Sequence, residues 1–125
     1  MKNILNLLIV CFLLFLTGCS ENDSIEVETP AIISKTYKYL ALGDSYTIGQ
    51  SVCETCRFPI QLKTKLKQSM TVSDNILTDI IAQTGWTTTN LKNAIATQNP
   101  DNNYDLVTLL IGVNNQYQNK PFSLY

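Results

Sequence analysis

The sequence contains no histidine. That removes the imidazole from its usual roles as general base, proton shuttle and metal ligand. Charge is also sparse: 15% of the residues are charged and the formal net charge is −1. Nucleic-acid binding needs Lys and Arg gathered on one surface to neutralise phosphates, so the near balance of signs excludes it. The one basic cluster, Lys63, Lys65 and Lys67, is interleaved with Leu62 and Leu66 and reads as the solvated face of an amphipathic helix. No apolar run reaches the ~20 residues of a membrane-crossing helix. The longest, Ile4 to Leu16, is well short of that. At 125 residues the chain has room for one domain and not for two.

What is present begins at the amino terminus. Lys2 supplies a positive start, the apolar run follows, and Leu16-Thr17-Gly18-Cys19 closes it with small residues and a cysteine. This arrangement looks like the lipobox of a bacterial lipoprotein signal. The resemblance implies that residues 1–18 are removed and that Cys19, acylated on its thiol, becomes the mature terminus. Acyl chains anchor by apolar burial, so the membrane is reached without a transmembrane helix. The expected location is the bacterial cell envelope, at the outer membrane or cell surface. The alternative is an ordinary secretory signal in which Cys19 is incidental. Residues 19–36 then form an acidic tether (Glu21, Asp23, Glu26, Glu28, with Pro30), too polar to bury and charged enough to stay solvated. Its acidity so soon after the cysteine also resembles the export tags of some surface lipoproteins.

Of four cysteines, Cys11 leaves with the signal and Cys19 carries lipid, which leaves Cys53 and Cys56. An even pair in an oxidising compartment reads as a local disulfide. Zinc would need about four ligands, and there is no histidine to join two thiols. A thioredoxin-like role is the weaker reading, because Cys-Glu-Thr-Cys does not open a recognisable redox βαβ unit.

The folded part is expected over residues 37–125. Tyr37 to Leu42 is a short apolar run that stops at Gly43 and reads as a buried strand. A loop is expected from Asp44 to Arg57. Pro59 suits a first helical turn, and Ile60, Leu62, Leu66 and Met70 follow at roughly helical spacing. Ile76 to Ala82 is a second strand, ending in the turn at Gly85. Thr88 or Thr89 is expected to cap a helix carrying Leu91, Ala94 and Ile95, stopped by Asn99-Pro100. Tyr104 to Ile111 is the third strand, ended by Gly112. Strand, helix, strand, helix, strand predicts an α/β fold built on a parallel sheet with crossover helices.

Ligands of open parallel sheets bind beyond the carboxyl ends of the strands. Those ends here read Gly43-Asp44-Ser45, Thr84-Gly85-Trp86 and Gly112-Val113-Asn114-Asn115. A serine hydroxyl directly after a strand can project above the sheet, close to loop N–H groups able to stabilise an oxyanion. Gly85 lets backbone approach a substrate with no Cβ between them. Asn114 adds a side-chain amide. Glycines at strand ends are also ordinary turn residues, so the signal lies in the three occurring in order at one sheet edge. A phosphate- or nucleotide-binding loop over Gly43 to Gly49 is the weaker reading: five residues separate the glycines, and Gln50 stands where lysine is required.

In these three blocks the sequence resembles the SGNH or GDSL hydrolases. Gly43-Asp44-Ser45-Tyr46-Thr47 is similar to the family's first block, Gln83 to Thr88 to the second, and Gly112-Val113-Asn114 to the third. The resemblance runs from about Tyr37 to Gln118. It implies a three-layer α/β/α, flavodoxin-like fold and a serine esterase with Ser45 as nucleophile. The oxyanion hole would be made by the Ser45 and Gly85 N–H groups and the Asn114 side chain. It implies no cofactor and no metal, and a small-molecule or glycan ester as substrate. Two positions depart from the pattern. Asn115 stands where many members have aspartate. The fourth block, an Asp-x-x-His that supplies the base, is missing. The expectation is that the carboxyl-terminal part of such a domain is lacking and that the chain by itself is inactive. The competing expectation is a non-catalytic surface lipoprotein that binds an acylated glycan.

Overall fold

The computed structural model describes residues 33–125. The expected signal peptide, Cys19 and nearly all of the tether lie outside the described residues. Strand β1 spans Thr36–Gly43, helix α1 Ser45–Ile48, helix α2 Phe58–Gln68 and strand β2 Asn75–Ala82. Helix α3 spans Thr88–Gln98, strand β3 Leu106–Leu110 and helix α4 Val113–Tyr117, with 3₁₀ turns at Glu54–Cys56 and Phe122–Leu124.

Side chains alternate along β1, and the two faces bury against different helices. Tyr39 and Ala41 pack with Ile76 and, from the α2 side, Leu62, Leu66 and Met70. Leu40 and Leu42 pack with Ile81 and, from α3, Leu91, Ala94 and Ile95. The sheet is thus covered by a helix on each face, the arrangement a parallel sheet requires. Its strand order is β2-β1-β3, with both pairings parallel. That is the order in which a flavodoxin-like sheet begins.

Four hydrogen bonds at the amino-terminal edge fix the register. The Lys35 N–H donates to Asp74 Oδ1 at 3.0 Å, and the Asn75 N–H donates back to the Lys35 carbonyl at 2.8 Å. On the other side of β1 the Lys38 N–H reaches Asp105 Oδ2 at 2.8 Å, and the Asp105 N–H returns to the Lys38 carbonyl at 2.8 Å. The bond from Lys35 holds the Asp74 carboxyl below its usual range. Lys38 Nζ also pairs with Asp101 at 2.5 Å.

Three local expectations are corrected. The stretch after β1 is not all loop, because α1 folds at once, with the Asp44 carboxylate accepting from the Tyr46 N–H at 3.0 Å as its amino-terminal cap. The cap of α3 is Thr87, one residue before those expected, in a reciprocal box with Asn90. Strand β3 is shorter than the apolar run. Tyr104 leaves the strand and donates its phenol to Asp79 Oδ2 at 2.8 Å, and that bond to the carboxylate pushes the phenol up to about 12. Among the described residues the outer edge of β3 pairs with nothing, and Val107 and Leu109 are more than half exposed.

Candidate active site

The register brings the three strand ends level: Gly43 lies opposite Ala82 on one side and Leu110 on the other. The loops bearing Ser45, Gly85 and Asn114 therefore leave the sheet side by side. Gly43 is dictated by crowding. A Cβ there would lie 2.0 Å from Thr47 Oγ1 and 2.5 Å from the Leu110 carbonyl oxygen. This closeness lets the chain turn straight from β1 into α1, whose first residue is Ser45. The Ser45 side chain is partly exposed, whereas Asp44 before it and Thr47 after it are buried.

Gly85 is needed for a different reason. Nothing lies within 4 Å of its missing Cβ, but its φ of 79° is in the left-handed region that glycine adopts without strain. The residue is exposed, in the loop that follows β2. Asn114 sits in the first turn of α4 and donates Nδ2–H to the Trp86 carbonyl at 2.9 Å. That bond ties the loop after β3 to the loop after β2 and leaves the amide a second N–H.

Asn115 does more than its neighbour's spacing suggested. It is 1% exposed. Its Oδ1 accepts from the Thr88 N–H at 2.9 Å, and its Nδ2 donates to Thr88 Oγ1 at 2.8 Å and to the Leu124 carbonyl at 3.1 Å. It thereby clamps α4 to the start of α3 and to the last 3₁₀ turn. The Asn115→Ala variant empties a buried position and takes the acceptor from the Thr88 N–H, and about 2 kcal/mol of stability should be lost. Urea unfolding checks this, and an unchanged midpoint would show that the clamp carries no load. The sequence signal was present as a second asparagine, but only the fold shows what it reaches.

Cys53 and Cys56 are brought together as a disulfide at the rim of the loop between α1 and α2, with Cα atoms 5.0 Å apart. Among the described residues no group of three or more Cys, Asp or Glu side chains is placed to hold a metal. A cleft of about 260 Å³ is lined by Asp44, Tyr46, Leu110, Ile111 and Val113, the first two flanking Ser45 in the chain. Sequence reasoning assigned no role to Asp44 or Tyr46 beyond their place in the first block.

No protein-family model and no curated protein matches this sequence. Solved structures do resemble it. The esterase AlinE4, described as a member of the SGNH-hydrolase family, superposes with a TM-score of 0.56 at 22% identity, over 70% of this chain and 46% of that one. An aspartate-to-alanine variant of AlinE4 gives a TM-score of 0.55 at 22% identity, over 69% and 45% of the two chains. A serine-to-alanine variant gives 0.56 at 21%, over the same shares. The fold is that of the SGNH-hydrolase esterases. The chain spans a little under half the length of the structures it matches.

Proposed function

We propose that the strand-end site belongs to a serine ester hydrolase of the SGNH type, tethered to the cell envelope by lipid on Cys19. The observation that carries this reading is the level register of Gly43, Ala82 and Leu110, which gathers Ser45, Gly85 and Asn114 at one edge. In it, Ser45 Oγ attacks the ester carbonyl. The Ser45 and Gly85 N–H groups and the Asn114 amide then receive the negative charge that develops on the carbonyl oxygen. The chain supplies no imidazole to take the serine proton, so alone it is inactive and needs a base from an Asp-x-x-His segment. The substrate is an ester or acetylated compound, a glycan ester included.

The experiment is turnover of a small chromogenic ester by a form of the protein that carries such a segment. Asn114→Ala should lower the rate by roughly a hundredfold, as loss of one oxyanion donor does. An unchanged rate would remove Asn114 from the hole. The missing histidine favours a second reading, a surface lipoprotein that holds an acylated glycan without cleaving it. Saturable glycan binding, with no turnover even when the segment is supplied, would select it.

A further inference from the structure

The turn Cys53-Glu54-Thr55-Cys56 carries chemistry that ester cleavage does not use. All four residues are exposed, and the disulfide joins positions only three apart in sequence. A cross-link constrains the unfolded chain less the shorter the loop it closes, so this one adds little stability. The turn is also held without it. The Cys56 N–H donates to the Cys53 carbonyl at 2.9 Å and the Arg57 N–H to the Glu54 carbonyl at 3.4 Å. From α2, Gln61 Nε2 donates to the Cys56 carbonyl at 2.7 Å. Opening the sulfur–sulfur bond therefore leaves these contacts in place. The turn follows α1 and not a strand, so its reactivity comes from its own groups and not from a thioredoxin-like unit.

Those groups distinguish the two sulfurs. Thr55 Oγ1 lies 3.3 Å from Cys53 Sγ. A disulfide sulfur carries no hydrogen, so the hydroxyl is the donor, and the bond strengthens when that sulfur becomes a thiolate. Glu54 opposes a thiolate, but it is exposed and screened by solvent. Arg57, the residue after Cys56 and the cap of α2, adds a positive charge that offsets it.

We propose that Cys53–Cys56 is an exchange-active disulfide that accepts two electrons from a dithiol, Cys56 being the sulfur attacked and Cys53 the sulfur that leaves. A thiolate of the dithiol bonds to Cys56 Sγ, the sulfur–sulfur bond breaks, and its electron pair passes to Cys53 Sγ beside the Thr55 hydroxyl. The second thiolate of the dithiol then bonds to the first sulfur and releases Cys56. The two protons of the dithiol end on Cys53 and Cys56; the dithiol is oxidised and the pair reduced. Neither step involves Ser45, so the outcome is independent of the ester-cleaving reading.

The test treats the full chain in detergent with dithiothreitol near neutral pH, without denaturant, then quenches with acid and labels free thiols with N-ethylmaleimide. Trypsin releases Tyr39 to Arg57 as one peptide that holds this pair and no other cysteine, and its mass should show two labels. The same disulfide in the isolated oxidised peptide is the reference. The folded chain should react about fivefold faster, the gain expected of a hydrogen-bonded leaving thiolate. Thr55→Ala should remove that advantage and Thr55→Ser should restore it, which a merely structural role for the turn would not produce. With glutathione as the attacking thiol, a rapid acid quench should trap the mixed disulfide, and fragmentation of the peptide should place glutathione on Cys56. Reduction slower in the folded chain than in the peptide, or only at denaturant concentrations that unfold it, would make the pair a structural staple and overturn the proposal. An unchanged rate in Thr55→Ala, or glutathione on Cys53, would overturn it as well.

Discussion

Replacing Ser45 by alanine should lower ester turnover by about four orders of magnitude or more, the loss typical of removing a hydrolase nucleophile, in a form of the protein carrying the Asp-x-x-His segment. In the proposed reaction this hydroxyl forms the acyl-enzyme bond, and the hydroxyl nearest along the chain is not placed to replace it. Thr47, two residues on, is fully buried, with its Oγ1 directed at the Leu42 carbonyl. Ser45 itself is partly exposed and belongs to neither buried cluster of the core. Its removal should therefore leave the unfolding free energy within about 0.5 kcal/mol of the original. The pair of measurements is decisive together. Lost turnover with unchanged unfolding assigns the chemistry to the hydroxyl. Turnover that survives the substitution would show that the ester is cleaved elsewhere.

Gly43→Ala should have the opposite signature, with stability falling first and activity following. The added methyl would sit 2.0 Å from Thr47 Oγ1 and 2.5 Å from the Leu110 carbonyl oxygen. Turning the Thr47 side chain would move Oγ1 but not Cβ, which would still lie 2.7 Å from the methyl. The clash with Leu110 is against the backbone of β3, so either β3 moves away from β1 or the turn into α1 opens. Forced overpacking of this kind costs about 3 kcal/mol or more. Thermal unfolding is the check. Combining Gly43→Ala with Thr47→Gly should recover only part of the loss, because the strand carbonyl stays in the way. Full recovery would place the whole strain on Thr47.

The α/β class and the strand order of events along the chain were legible because hydrophobic period carries them. Tyr39 and Ala41 against Leu40 and Leu42 are a two-sided strand on inspection, and α2 and α3 announce themselves by apolar spacing. Helix α1 was not legible. Four residues are one turn, too short to display a period, and its only signal was the capping aspartate already read as part of a motif. The end of β3 misled for a related reason: Tyr104 is apolar enough to extend the run, yet its hydroxyl is drawn to Asp79 on β2. For the site, Ser45, Gly85 and Asn114 could be named from glycine punctuation and motif resemblance. The bonds of Asn115 could not, because they depend on partners that only the packed loops determine.

The position of β1 at the centre of the sheet also bears on how fast the molecule can form. The first strand to be synthesised must wait for both of its neighbours. The clasp between Lys35 and Asp74 closes over 39 residues and that between Lys38 and Asp105 over 67. With both ladders parallel, no hairpin exists to seed the sheet locally. Each pairing demands closure of a long loop before any strand contact rewards it, which places such chains toward the slow end of single-domain folding rates.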